Sequence, residues 1–337
     1  MRHINIPVFI PHLGCPNNCV FCNQRTISGV KSFDPSDTRR IIDDALSTVS
    51  ADDEVEIAFF GGSFTGIDFD LMTELLQIAY SYIERGAVKS VRCSTRPDYI
   101  DENIIKTLKR YGVSTVELGL QSIDPEVLRL SKRNHTATDA VRACKLIVDS
   151  GITLVGQMMI GLPGSTIESE IETTRFIIDS GAVGARIYPT VVFRDTELCD
   201  MAAGGDYTPL SLEDAVTRSA ATLRLFRASG VKVIRIGLCS SENLLSEETY
   251  FAGPNHPSLG ELVENKLYFD DIYDKAKYLN LKKEDILLVK VARGTLSKAI
   301  GQKRKNKTLL TDTLGVRDVV FREDCVTHYI DVSVLDK

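Results

Sequence analysis

The chain has 337 residues with 43% hydrophobic and 26% charged side chains, an ordinary globular composition that excludes wholesale disorder. No apolar run approaches the length that crosses a bilayer, and the first residues lack a signal-peptide pattern, so we expect a cytoplasmic protein with no membrane partner. Eight cysteines in a reducing compartment are poor disulfide candidates, and three of them fall within eight residues, which favours a metal centre.

Charge is unevenly distributed along the chain. The formal net charge is −6, but residues 286–337 contain ten Lys/Arg against six Asp/Glu, which gives +4 there and −10 for the rest. This asymmetry indicates a basic module joined to an acidic enzyme.

Short β-branched runs alternate with longer amphipathic stretches, the pattern of repeated βα units and a parallel sheet. Helix-start signals stand at Asp34-Pro35, Asp68, Asp101 and Ser165-Thr166, and helix-stop glycines at positions 112, 151, 181 and 230. Six strands are predicted, with Val231–Gly237 as a possible seventh: Ile4–Ile10, Val55–Phe60, Ser90–Thr95, Thr115–Leu120, Thr153–Met159 and Gly184–Pro189.

We therefore predict an α/β fold, a partial parallel (β/α)6 TIM-like barrel over residues 1–243. A connector over 244–285 and a small C-terminal α+β module over 286–337 follow. In such barrels the loops that leave the carboxyl ends of the strands build the active site, so functional residues should stand directly after strands.

The cysteine motif lies directly after the first predicted strand. Cys15, Cys19 and Cys22 form a C-x3-C-x2-C pattern interspersed with Pro and Asn. Thiolates are the preferred ligands of iron–sulfur clusters, and three of them on a tight loop leave one iron of a [4Fe–4S] cluster open. The alternatives are buried free cysteines or a zinc knuckle, but zinc usually has a fourth Cys or His, and the nearby His12 lies on the strand side.

This motif resembles the defining motif of the radical S-adenosylmethionine (SAM) superfamily. The resemblance implies that Cys15, Cys19 and Cys22 hold the cluster and that its open iron chelates the amino and carboxylate groups of SAM. It also implies cleavage of SAM to a 5′-deoxyadenosyl radical after one electron arrives, and an electron donor such as flavodoxin or ferredoxin. Phe21 matches the aromatic residue that packs near the adenine.

More closely, the chain resembles the radical domain of the Elongator catalytic subunits, over about residues 3–240. That resemblance implies a tRNA-type substrate modified at a wobble uridine. The same subunits carry an acetyltransferase domain, for which this sequence leaves no room, so acetyl-CoA has no predicted site. The matching blocks occur in the same order: FFGGSF(59–64), STRPDY(94–99), ELGLQSID(117–124), RNHT(133–136), QMMIGLPGS(157–165) and RIYPT(186–190).

Several residues after strands are candidate SAM contacts. Glycines at the end of the second strand let backbone approach a ligand, and the resemblance implies that Gly61, Gly62 and Ser63 contact the methionine amino group. Arg133 would form a bidentate ion pair with the carboxylate of SAM, and a solvated arginine is the alternative. Gln121 and Gln157 are further cofactor candidates, or amides that satisfy backbone groups of the barrel.

Other polar residues are weaker candidates. Arg96, Arg186 and Tyr188 stand after or within strands and could contact substrate or cofactor, while a buried tyrosine with one hydrogen bond is the alternative for Tyr188. The cysteines at positions 93, 144, 199, 239 and 325 form no second cluster pattern, and we expect most of them to be small buried hydrophobic residues.

The terminal module has a β-α-α-β-β pattern and resembles the KH nucleic-acid module, whose G-x-x-G loop presses against a phosphate backbone. Here the last glycine is replaced by Arg304, a departure from the pattern. Lys303, Arg304, Lys305 and Lys307 concentrate positive charge at this loop and predict salt-dependent RNA binding, with an ordinary basic helix face as the alternative.

Together these features favour a radical SAM enzyme that modifies RNA. One alternative is a small-molecule oxidoreductase that resembles the oxygen-independent coproporphyrinogen oxidases. Another is a non-catalytic, cluster-bearing RNA-binding factor. The basic module favours RNA over porphyrin, and the cysteine spacing with GGSF and Arg133 favours catalysis over binding alone.

Overall fold

A computed structural model describes residues 2–11, 13–15, 19–23, 32–50, 52–238 and 246–335. His12, Cys239 and residues 16–18 of the cysteine motif lie outside these ranges. Two compact units form, one from Met1–Ser211 with Leu225–Asn255 and one from Leu212–Arg224 with His256–Lys337. In the ranges described, no helix has the length and apolar character that a membrane crossing requires.

The first unit alternates strands and helices. Its strands are β1 His3–Ile10, β2 Glu54–Gly61, β3 Ser90–Thr95, β4 Val113–Gln121, β5 Thr153–Ile160, β6 Gly184–Pro189, β7 Val192–Phe193, β8 Lys232–Ile236 and β9 Tyr250–Ala252. Its helices are α1 Thr38–Leu46, α2 Phe69–Glu84, α3 Glu102–Arg110, α4 Pro125–Leu130, α5 Ala137–Asp149, α6 Ile167–Asp179 and α7 Glu197–Gly204, and α8 Leu212–Ala228 spans the boundary between the units.

Seven of these strands form one sheet in the order β1-β2-β3-β4-β5-β6-β8, and every neighbouring pair is parallel. This curled half-barrel confirms the predicted fold class. The possible seventh strand is present as β8. Because all seven strands run in one direction, their carboxyl ends meet at one rim, as the placement of the motifs requires.

The predicted boundary signals act as expected. Asp68, Asp101 and Thr166 cap α2, α3 and α6 by accepting hydrogen bonds from backbone amides of the first turn. Gly112 has φ +71°, the left-handed conformation that ends a helix without the steric cost of a side chain.

Side chains alternate between two faces of the sheet, as strand geometry requires. On β2, Phe59 is fully buried and stacks on Phe64 with ring centroids 4.5 Å apart. Glu56 and Phe60 lie on the opposite face of this strand. The polar side chains in the interior of the half-barrel therefore lie on the face of the sheet that carries Glu56.

The second unit contains α9 Leu259–Ala276, β10 Ile286–Ala292, α10 Leu296–Ile300, α11 Lys305–Leu314, β11 Asp318–Asp324 and β12 Ile330–Val334. Its sheet has the order β11-β10-β12, with β10 parallel to β11 and antiparallel to β12. The predicted β-α-α-β-β pattern of the terminal module matches the elements observed.

Helix α9 lies inside the segment predicted as a connector. Its Ile272 and Ala276 are fully buried in one core with Leu287 and Leu310 of the terminal module. The helix escaped sequence reasoning because the polar Asn265 is among its buried residues, which blurs the apolar stripe. The limits of the barrel at 243 and of the module at 286 remain predictions.

Candidate functional site

The loop that carries the cysteines, residues 11–23, is here called the cysteine loop. At its far end the Val20 amide donates to the Ser131 carbonyl, and the Leu198 amide donates to the Val20 carbonyl. The Val20 side chain is buried against Val192 and Leu198. These contacts fix Cys19 and Cys22 relative to the strands, although the two thiols stand on a loop.

Glycines after β2 hold the near end of the cysteine loop. The Gly62 amide donates to the Ile10 carbonyl at 2.7 Å, and the Ser63 amide donates to the Leu13 carbonyl at 3.1 Å. A Cβ on Gly62 would lie 1.9 Å from the Leu13 oxygen, and one on Gly14 would lie 2.1 Å from the Ser63 oxygen. The two backbones therefore pack so closely that only glycine fits on either side.

Replacing Gly62 with alanine is expected to displace the cysteine loop and to remove most of the iron that the chain binds. The physical reason is a clash between Cβ and backbone, which no side-chain rotation relieves. Iron content after anaerobic reconstitution measures the effect. Gly204→Ala is the matched control, because the nearest atom to its added Cβ lies 3.8 Å away; equal iron loading in the two variants would contradict this reading.

The three cysteines face one cavity of about 130 Å³ at the carboxyl-end rim of the sheet, here called the cysteine cavity. Nine of the ten residues predicted as cluster or SAM contacts line it, and Ser63 is the exception. The lining residues are Cys15, Cys19, Phe21, Cys22, Gly61, Gly62, Ser94, Thr95, Arg96, Gly119, Gln121, Arg133 and Gln157. The structure thus brings together residues from six separate segments of the chain.

Ser63 supports the wall of the cavity. Its buried hydroxyl pairs with the Thr95 hydroxyl at 2.8 Å and accepts a hydrogen bond from the Arg96 amide at 3.1 Å. The side chain thereby ties the loop after β2 to the end of β3. Its predicted contact with a methionine amino group remains a prediction.

Arg133 is buried beside Cys19. Its Nη1 donates to the Cys19 Sγ at 3.6 Å, and its Nη2 donates to the Gly119 carbonyl. Its Nε has no hydrogen-bond partner among the described residues. Because Arg133 is only 8% exposed, the alternative of a solvated surface arginine is wrong.

Two glutamines contribute amides to the cavity wall in different ways. Gln121 ends β4 with φ 65°, and its buried Oε1 has no hydrogen-bond partner in the described part of the chain. Gln157 donates from Nε2 to the Glu117 carboxylate at 2.9 Å. That bond fixes the orientation of the Gln157 amide at the cavity wall.

Glu117, 1% exposed in the middle of β4, is the centre of a charge network that sequence reasoning missed. Its carboxylate accepts from Arg92, from both Nε and Nη2 of Arg186, and from Gln157 at 2.7 to 3.0 Å. Arg92 also pairs with the buried Glu56. A charged residue inside an otherwise uncharged strand was the available signal, since a buried carboxylate requires partners.

His135, which follows Arg133 by two residues, is 2% exposed, and neither ring nitrogen has a partner among the residues described. Burial and the positive charge of Arg133 lower the pKa of His135 to about 3, with Asp98 opposing. The imidazole is therefore neutral at physiological pH. Both Arg133 and His135 also line a larger neighbouring cavity of about 920 Å³.

The chemistry of the cysteine cavity fits an iron–sulfur cluster, because three cysteine side chains and two guanidinium groups line it. Burial raises the pKa of the Cys15 thiol, while the positive charges of Arg96 and Arg133 oppose that rise. In the ranges described, no three His, Cys, Asp or Glu side chains have the spacing to hold one metal ion. Cysteines that bind different irons of one cluster need not converge on a point.

The second unit carries the predicted RNA-binding residues on the turn between α10 and α11 and at the start of α11. Lys303 and Arg304 have φ 51° and 62°, so the turn adopts the left-handed conformation although arginine replaces the second glycine of the G-x-x-G pattern. Lys303, Arg304 and Lys305 are exposed. Lys307 is partly buried and pairs with Asp318 at 2.9 Å.

Comparison with known families gives two matches along the chain. The model of the radical SAM superfamily matches residues 9–177, and the model of the radical SAM C-terminal domain matches residues 182–268. The first match contains the whole cysteine loop and β2 to β5.

Curated relatives are larger proteins. A tRNA uridine(34) acetyltransferase of Methanocaldococcus infernus is 31% identical over 60% of this chain and 46% of its own length. The human Elongator complex protein 3 is 28% identical over 57% of this chain and 39% of its own. The chain thus spans less than half the length of these relatives.

Solved structures share the fold. The archaeal Methanocaldococcus infernus Elp3 with an N-terminal deletion superposes with a TM-score of 0.64 at 23% identity, over 85% of this chain and 70% of that one. Coproporphyrinogen III oxidase from Escherichia coli gives 0.50 at 16% identity, over 68% of this chain and 53% of that one. At these identities the likeness establishes the fold alone.

Proposed function

Since the chain belongs to the radical SAM superfamily, whose enzymes use a [4Fe–4S] cluster and S-adenosylmethionine, we propose that it is a radical SAM enzyme that modifies tRNA. The observation that carries this proposal is the cysteine cavity. Three cysteines of one loop, a buried arginine and two glutamines of β4 and β5 meet there at the rim where barrel enzymes place their chemistry.

Cys15, Cys19 and Cys22 would hold the cluster, with one iron left for SAM. The unpartnered Nε of Arg133 is a donor for the carboxylate of the methionine end, and the unpartnered Oε1 of Gln121 is an acceptor for its amino group. Buried polar atoms without partners are costly, so a zwitterionic ligand in the cavity would satisfy both. When bound, cluster and SAM supply a 5′-deoxyadenosyl radical.

The chain's own residues prepare the cavity for that chemistry. Glu117 fixes Gln157, Ser63 fixes the strand end at Thr95, and Gly62 lets the cysteine loop pack onto β2. Phe21 supplies an aromatic face for the adenine.

A tRNA substrate is supported by two independent features. The curated relatives named above are tRNA-modifying or Elongator proteins, and the second unit exposes Lys303, Arg304 and Lys305 on one turn. Clustered cations bind a phosphate backbone with little sequence preference, so these three residues could bind a folded tRNA substrate. The electron would come from a flavodoxin or ferredoxin in the cytoplasm.

The test is the yield of 5′-deoxyadenosine from reconstituted, dithionite-reduced protein with SAM, with and without total tRNA. A tRNA substrate is expected to raise the yield, because productive binding commits SAM to cleavage. Coproporphyrinogen is the comparison substrate, since a coproporphyrinogen enzyme shares the fold. Stimulation by the porphyrinogen and not by tRNA would overturn the RNA assignment.

A further inference from the structure

Arg96 is a second buried guanidinium at the cysteine cavity, and the proposed function assigns it no role. It is 3% exposed and lines the cavity together with the three cysteines. Asp98 accepts from its Nε at 2.9 Å and from its Nη2 at 2.7 Å. The remaining Nη1 is buried and has no hydrogen-bond partner within the described residues.

The hydrogen bonds to Asp98 fix both the position and the orientation of the Arg96 guanidinium. Two parallel hydrogen bonds that a guanidinium donates to one carboxylate fix the plane of the guanidinium. The Arg96 amide is also bound, by the Ser63 hydroxyl, which fixes the base of the side chain. Arg96 lines the same cavity as Cys15, Cys19 and Cys22, which places its charge beside the cysteines.

A charge at this place bears on electron transfer. A [4Fe–4S] cluster with three thiolates has a net charge of about −1 when oxidised and about −2 when reduced, and nearby charge and hydrogen bonds to sulfur set its potential. Buried charges are weakly screened, so a guanidinium favours the more negative, reduced form.

We infer that Arg96 is the charge partner of the cluster, which makes its one-electron reduction easier, and that Asp98 limits this effect by partial neutralisation. The inference rests on the proposed function, because it requires the cluster on Cys15, Cys19 and Cys22. The electron comes from an external donor, dithionite in the test, and resides on iron. No proton moves, and no bond forms or breaks at Arg96.

The experiment is a potentiometric titration, followed by electron paramagnetic resonance, on the anaerobically reconstituted full chain without SAM. In Arg96→Gln the reduction equilibrium constant should fall about tenfold, which is ~59 mV toward negative potential for a one-electron couple. Arg96→Lys keeps the charge and should shift the potential less. Asp98→Asn should shift it in the opposite, positive direction.

The opposite signs separate an electrostatic role from a structural one. A potential in Arg96→Gln equal to that of the unsubstituted chain, at equal iron content, would overturn the inference. So would a negative shift in Asp98→Asn, since loosening of the loop would move both variants alike. If Arg96→Gln binds no cluster, the sign of the potential shift in Asp98→Asn decides whether the role is electrostatic or structural.

A second readout distinguishes the cluster from SAM as the group that Arg96 serves. Equilibrium dialysis with SAM on the same loaded proteins should give dissociation constants within about twofold of one another. Unchanged potential with SAM binding weakened in Arg96→Gln would overturn the assignment to the cluster. A failure of the unsubstituted chain to bind any cluster would instead contradict the proposed function itself.

Discussion

Replacing Cys19 with alanine is expected to reduce bound iron from about four atoms per chain to background and to abolish formation of 5′-deoxyadenosine. Cys19 is buried in the cysteine cavity, and its Sγ accepts a hydrogen bond from the Arg133 guanidinium. Two remaining thiolates cannot hold a cluster whose three ligands come from this loop. Iron and sulfide analysis with product chromatography measures the two losses.

The matched control is Cys325→Ala, an exposed cysteine of the second unit. It should retain full iron and full product formation, because it lies in a separately folded part of the chain from the cysteine cavity. Retention of SAM cleavage in Cys19→Ala would mean that the chemistry takes place elsewhere. Equal loss in the control would point to a general loss of stability and not to a cluster ligand.

Replacing Lys303, Arg304 and Lys305 together with glutamate is expected to weaken tRNA binding at least about tenfold at low salt. The slope of log affinity against log salt concentration should become shallower by roughly 2 to 3, because each phosphate contact releases about one counterion. All three side chains are exposed, so the change should leave the fold intact. Filter binding over a salt series gives both numbers.

The control for charge alone is the triple variant Lys275→Glu, Lys282→Glu and Lys283→Glu. These three lysines are also exposed in the second unit and lie outside the turn between α10 and α11. The control makes the same change in net charge but should preserve most of the affinity. Equal weakening of tRNA binding in both triple variants would indicate a diffuse charge effect. It would contradict the assignment of RNA binding to this turn.

Much of the fold was predictable because repeated parallel βα units produce an alternation of strand-like and helix-like hydrophobic patterns in the sequence. The predicted strands β1 to β6 match the observed ones to within two residues at each end. The helix caps at Asp68 and Asp101 follow from local chemistry, since a carboxylate before a helix accepts from its first amides. These features depend only on neighbours in the sequence.

The grouping of the candidate site was predictable for the same reason. Once Cys15 is placed after β1, and Gly61 and Gln121 at the carboxyl ends of β2 and β4, parallel pairing brings them to one rim. The charge network around Glu117 was not predictable. That Glu117 pairs with Arg186, 69 positions away, depends on the register of two strands that are not neighbours, and no local pattern encodes it.

The clamp of Asp98 on Arg96 could have been suspected from sequence, since the two residues are two positions apart. Whether their charges face solvent or a cavity depends on burial, which only the fold decides. Helix α9 is the converse case, because its burial on more than one side erases the periodic pattern that sequence reasoning needs.

The central claim is that Cys15, Cys19 and Cys22 form a SAM-cleaving centre. Anaerobic reconstitution with iron and sulfide, reduction with dithionite and chromatography of the products after addition of SAM test it most directly. We predict a cluster of about four irons and formation of 5′-deoxyadenosine. A fully loaded protein that forms no 5′-deoxyadenosine with or without tRNA, or a protein that binds no cluster, would contradict it.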